Sequence, residues 1–175
     1  MILRLSDLNP DQRALARWLV AGLQIDEVRN LHGDSGFLLS NMIAKFSLAA
    51  TSYRLSKGAE REFKKQKVDL DATYKRSRFY GKNSVFMYEH AVPCSLVRKK
   101  LLLTKPTLPS VLKVLDSAGP VIMVLRREDL QLRENGLLRS MPKGWEWGDN
   151  PLARYQASGI ALSNNHLKVD GQIER

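Results

Sequence analysis

Gly119-Pro120-Val121-Ile122-Met123-Val124-Leu125-Arg126-Arg127 is the stretch that decides the fold. Five apolar residues stand in a row between a Gly-Pro stop and a pair of cations. A run so short and so continuous marks a strand buried on both faces. Arg127 to Asn135 then reads as a short helix, with Gly136 placed as its C-terminal stop. Upstream, Lys105-Pro106-Thr107-Leu108-Pro109 is a connector. Pro109 opens a short helix containing Val111, Leu112, Val114 and Leu115. Further back, Val85-Phe86-Met87-Tyr88 is short and mostly β-prone, a second strand ended by Pro93. Ser95 is placed to cap a helix through Leu96, Val97, Leu101 and Leu102.

The N-terminal half reads as helices. Asn9 is a cap and Pro10 fits the first helical position. Leu15, Trp18, Leu19 and Leu23 then share one face. Gly33-Asp34-Ser35-Gly36 breaks the chain. Leu39, Met42, Ile43, Phe46, Ala49, Ala50 and Tyr53 predict a continuous second helix in the centre of the core. Lys57 to Lys75 reads as a solvated helix interrupted near Gly58, anchored by Phe63, Val68, Leu70 and Tyr74. Asn150-Pro151 starts a last helix, ended by Gly159. The expected fold is α+β: a helix-rich single domain with a small sheet of short strands. It spans residues 1–163, helical over 1–80 and mixed α/β over 81–163. Residues 164–175 are expected to be a tail or a short hairpin turning at Asp170-Gly171.

The chain has 175 residues, 43% of them hydrophobic, enough for one domain with a core. Twenty-eight Lys and Arg face 18 Asp and Glu, a net charge of +10. Such a surplus points to polyanionic partners rather than to a fold. Cys94 is the single cysteine, which excludes an internal disulfide and a multi-cysteine zinc site. The first residues lack a signal-peptide pattern, and no apolar run approaches the roughly 18 residues of a membrane span. A cytoplasmic protein without membrane attachment is expected.

The charge concentrates between Arg54 and Lys82, where ten Lys or Arg face four acids. Its far end, Tyr74-Lys75-Arg76-Ser77-Arg78-Phe79-Tyr80-Gly81-Lys82, alternates cations with flat rings. Cations neutralise phosphates and release counterions. Aromatic rings stack on unpaired bases. Lys64, Lys65, Lys67, Lys75, Arg76, Arg78 and Lys82 are the candidate phosphate contacts, with Tyr74 and Tyr80 as stacking groups. Arg98, Lys99 and Lys100 are further candidate nucleic-acid contacts, and Arg126 and Arg127 continue the basic character.

Glu89-His90-Ala91-Val92-Pro93 is the only place where a His abuts a carboxylate. Its acid-His-x-x-Pro pattern at the end of a strand resembles the opening of the HNH (ββα-metal) nuclease motif. The resemblance covers about five residues. It implies that Glu89 helps to hold a divalent cation and that His90 activates a water. Residues 94–100 supply no second Asn or His, so His166, Asn165 or Asp149 would have to complete the set. Without the nuclease chemistry, no cofactor is expected, and Glu89 and His90 form a hydrogen-bonded structural pair.

Trp145 and Trp147, in the loop 142–149, are either a protein-contact pair or a lid on the core. Arg154 is placed to clamp Asp149. Cys94 stands at a helix start near His90, but burial as a small apolar residue is the commoner role. His32 has no evident partner. Phosphate loops, dinucleotide fingerprints and common hydrolase motifs are absent from the sequence. The leading expectation is therefore a basic, non-enzymatic nucleic-acid-binding protein of DNA or RNA, of phage or mobile-element character. One alternative is an HNH-like metal-dependent endonuclease using Glu89 and His90. The other is an interaction factor or inhibitor acting on a nucleic-acid-handling complex.

Overall fold

The computed structural model describes residues 3–30 and 37–172. Gly33 to Gly36 and His32 lie outside the described residues. Four strands form one sheet: β1 (Ser52–Ser56), β2 (Phe86–His90), β3 (Val121–Leu125) and β4 (Leu162–Lys168). Their spatial order is β2-β3-β1-β4. The central strands β1 and β3 are parallel, with Arg54 opposite Ile122 and Leu55 opposite Met123. The outer strands β2 and β4 run antiparallel to their neighbours. All five residues of β3 are buried, as its unbroken apolar run requires.

Eight α-helices accompany the sheet among the described residues, and the fold is helix-rich α+β. α4 (Lys57–Lys65) covers one face of the sheet. There Ala59 and Phe63 pack on Tyr53, Leu55, Val121, Met123 and Leu125. α7 (Arg126–Glu134) and α8 (Ala153–Ala157) cover the other face. Leu132 and Tyr155 close over Ile122 and Val124 there. A third cluster is helical. It joins α1 (Pro10–Leu23), α3 (Phe37–Leu48), α5 (Cys94–Leu102) and α6 (Leu108–Ser117). The small α2 (Asp26–Arg29) follows α1. None of these helices is long and apolar enough to cross a membrane.

α1 starts as expected: the Gln12 amide donates to Asn9 Oδ1 at 2.9 Å, and Pro10 follows the cap. Trp18 is an exception on its face. It is exposed, and Ala16 and Gly22 take the buried positions. The α3 stripe also ends earlier than expected. The helix stops at Leu48, and Tyr53 belongs to β1. Tyr53 and Leu55 point into the core with Arg54 turned away between them, a period of two. Pairing with both β3 and β4 overrides the helical spacing that Ala49 and Ala50 share with Tyr53.

α4 covers only the first half of the expected Lys57–Lys75 helix, and Gly58 sits inside it without interrupting it. It ends in a Schellman turn. The Lys67 amide donates to Lys64 O at 3.1 Å and the Val68 amide to Phe63 O at 3.0 Å, while Lys67 takes φ 53°. The left-handed residue is a lysine, so no glycine marks the end. α5 begins at Cys94 with Pro93 as its cap, rather than at Ser95. Finally, residues 162–168 form the edge strand β4, which takes in the first residues of the segment 164–175. Tyr53 sits opposite Leu167 and Ser52 opposite Lys168.

At the C-terminal ends of β1 and β3 the two strand–helix units are tied together. Ser56 caps α4 by accepting the Ala59 amide at 2.9 Å. Its hydroxyl donates to Glu128 Oε2 at 2.6 Å, and the Leu125 amide donates to the same oxygen at 2.8 Å. Gly58 leaves room for that carboxylate. A Cβ there would collide with Glu128 Oε1.

Candidate nucleic-acid interface

The loop over residues 80–85 leads from a short 3-10 helix (Arg76–Phe79) into β2. Gly81 at φ 138° makes its sharp bend. Arg126, the first residue of α7, holds the loop from below. Its guanidinium donates to the carbonyls of Ser84, of Gly81 (2.7 Å) and of Lys82 (3.2 Å). The Arg126 amide adds a bond to Val85 O at 2.8 Å.

Two grooves flank this loop and share residues 82–85. One, of about 590 Å³, runs between Gln66 and Val68 on one side and Arg78 to Phe86 on the other. The second, of about 500 Å³, is lined by Lys65, Lys82, Arg126, Arg127 and Leu125, with Glu62 as its acid. Cations from the end of α4, the 3-10 helix, the loop and the start of α7 therefore line two grooves that share the loop residues 82–85. Lys65, Lys82 and Arg127 form no ion pair among the described residues. Tyr80 stands on the rim, 66% exposed. One of its faces stacks on Tyr88 at 5.9 Å and 18°.

The structure gathers only part of the expected basic set. Lys65, Arg78, Lys82 and Tyr80 line the grooves. Lys64 is paired with Glu60 at 2.8 Å. Lys67 is the left-handed residue of the Schellman turn. Lys75 precedes the 3-10 helix as its N-terminal flank. Arg76 acts on the hydroxyl of buried Tyr53. Tyr74 is half-buried, edge-on to Phe79, with the Arg78 guanidinium 4.6 Å over its ring. It is a core-edge residue and does not present a free stacking face. Arg98, Lys99 and Lys100 sit on α5 in the helical cluster. Arg98 Nε is buried there without a hydrogen-bond partner among the described residues, and Lys100 lies 5.9 Å over the Trp147 ring. Lys100 lines a separate groove of about 440 Å³ with Lys113 and Trp147. Trp145 and Trp147 pack edge-to-face and rest on the helical core, and Trp145 Nε1 donates to Asn150 O. That is the lid arrangement.

Arg126 and Arg127 are the groove residues that the Arg54–Lys82 window leaves out. Their signal is positional. Two cations occupy the first turn of a helix, where the macrodipole disfavours positive charge. Arg126 is compensated by loop carbonyls; Arg127 has no such partner among the described residues.

Glu89 and His90 are consecutive strand residues, so their side chains leave opposite faces of the sheet. Glu89 meets Arg154, whose Nη2 donates to Glu89 Oε2 at 2.7 Å. Arg154 is 1% exposed and also donates to the carbonyls of His90, Ala91 (3.1 Å), Leu137 (3.0 Å) and Leu138 (3.2 Å). The Tyr155 hydroxyl donates to His90 O at 3.3 Å. Arg154 is thus a clamp, but on Glu89 rather than on Asp149. The Asp149 carboxylate instead accepts the Glu146 amide at 2.8 Å. Burial pushes the Glu89 carboxyl up, and the Arg154 charge offsets only part of that shift.

The His90 ring lies on the α3 side, close to the Ala44 backbone, with Nε2 buried and without a hydrogen-bond partner among the described residues. Burial lowers its pKa to about 4. Burial likewise raises the Cys94 thiol to about 12, the behaviour of a packing residue and not of a nucleophile. His166 and Asn165 are on β4, three strand spacings from β2, or about 14 Å. Among the described residues, no three His, Cys, Asp or Glu are grouped to hold a metal. The local likeness to the HNH opening therefore does not extend to its spatial arrangement: the acid is committed to Arg154 and the His faces away from it. No protein-family model, curated protein sequence or solved structure matches this chain.

Proposed function

We propose that this protein binds nucleic acid without processing it, through the double groove around residues 80–85. The observation that supports this reading is the meeting of Lys65, Arg78, Lys82, Arg126 and Arg127, from four separate segments, against a single lining acid, Glu62. A phosphate chain laid along the grooves would neutralise cations that form no ion pair among the described residues, and its counterions would be released. Arg127 is the most telling member. It sits in the first turn of α7, next to Glu128, whose carboxylate is taken by the Leu125 amide and Ser56, and it forms no ion pair among the described residues. The net charge of +10 adds a general attraction that speeds encounter.

Fluorescence anisotropy against a labelled oligonucleotide, between about 50 and 200 mM salt, tests the reading. Affinity should fall steeply with salt, each phosphate contact adding about 0.7–0.9 to the logarithmic slope. The triple variant Lys65→Glu/Lys82→Glu/Arg127→Glu should lose about a hundredfold or more. Lys99→Glu/Lys143→Glu, which changes exposed cations away from the grooves, should bind nearly as the parent does. Equal binding by the triple variant and the parent would remove this proposal.

A further inference from the structure

Resting on the reading of the groove as a nucleic-acid site, we infer that its ligand is single-stranded. Tyr80 is the deciding residue. Its ring is stacked on Tyr88 on one side, at 5.9 Å and 18°, yet the residue is 66% exposed. Most of Tyr80 therefore stays open to solvent, at the rim of a groove lined by Arg78 and Lys82. A large aromatic left so exposed loses the apolar burial that ordinarily holds such a ring. Tyr88 fixes the orientation of the ring, so little side-chain freedom remains to be lost on binding. A base placed on it extends the stack Tyr88–Tyr80 by one layer.

Only an unpaired base can do this. Inside a duplex both faces of every base are already covered by neighbours, so a ring on the groove rim has nothing to stack on except a duplex end. The groove itself points the same way. Its lining includes Asn83, an amide-bearing residue of the kind that can bond the edge of a base free of its pairing partner. Lys82 and Arg78 then hold the flanking phosphates, and the recognition is tolerant of sequence because every base has a π-face.

The test compares an unstructured strand of about 20 nucleotides with the duplex it forms with its complement, both at low salt. The parent protein should bind the single strand at least about tenfold more tightly. Tyr80→Ala should weaken single-strand binding about tenfold, leave the salt slope unchanged and leave duplex binding untouched. Tyr80→Phe keeps the ring and should bind as the parent does. If the duplex binds as well as the strand, or if Tyr80→Ala weakens neither, the single-strand inference is overturned. The groove reading survives in that case provided Lys82→Glu weakens both ligands. If neither ligand binds, the groove reading fails and this inference falls with it.

Discussion

Arg154 and Glu89 form a buried ion pair at 2.7 Å that joins α8 to the end of β2. The remaining guanidinium donors are spent on backbone carbonyls of Ala91, Leu137 and Leu138. One side chain therefore fixes three chain segments that are far apart in sequence. The pair is asymmetric in its consequences. Removing the arginine strands a carboxylate and several carbonyls, whereas neutralising the acid leaves a hydrogen-bonding amide in place.

Arg154→Ala should therefore destabilise the protein by about 3–5 kcal/mol, the range for breaking a buried pair. Glu89→Gln should cost less, about 1–3 kcal/mol. Urea unfolding followed by circular dichroism measures both. Equal costs for the two variants would mean that the backbone contacts of Arg154 contribute little.

His90 sets an acid limit on stability. Its folded pKa of about 4 lies below the ordinary value of 6.5, so the unfolded chain binds the proton first as pH falls. Stability should decline as pH drops from about 6.5 towards 4, by up to about 3 kcal/mol. His90→Gln should flatten the curve in that window. Glu60, held at about 2 by Lys64, Ser163 and Asn165, acts lower: its contribution is present above 4.5 and is lost as pH falls towards 2. Unfolding midpoints across this pH range, for parent and variant, separate the two groups.

Gly58→Ala improves helix propensity and should nevertheless destabilise. The new Cβ would collide with the Glu128 carboxylate and push it off Ser56 and the Leu125 amide. The expected cost is about 1–3 kcal/mol. In Glu128→Ala the collision disappears, so the same glycine change there should be near neutral. A double-mutant cycle with no coupling would show that Glu128 is not the obstacle.

Neighbouring lysines on α4 should behave differently. Lys64 is tied to Glu60, while Lys65 lines the groove. Lys65→Ala should lower the salt slope of nucleic-acid binding by about one unit, and Lys64→Ala should leave it nearly unchanged. Anisotropy titrations at several salt concentrations read the difference directly.

Local chemistry determined much of this molecule from the sequence alone. Val121 to Leu125 forms a strand because no helix of five residues could bury so continuous a run, and Asn9-Pro10 starts a helix because the cap and the fixed φ are written in adjacent residues. The roles within the basic stretch are not written that way: Lys64 and Lys65 look alike until the fold turns one towards Glu60 and the other towards the groove. Tyr53 entered β1, and residues 162–168 became a strand, only because partners from β3 and elsewhere in the chain supplied their hydrogen bonds. The same holds for function. Glu89 and His90 are adjacent in the chain, but the pleat separates them and Arg154, 65 residues away, takes the acid. Lys65, Lys82 and Arg127 are distant in the chain, and the packing of α4 and α7 around one loop brings them to one depression. Sequence proximity sets local conformation; which charges meet, and which are neutralised, is set by long-range contacts that no local pattern encodes.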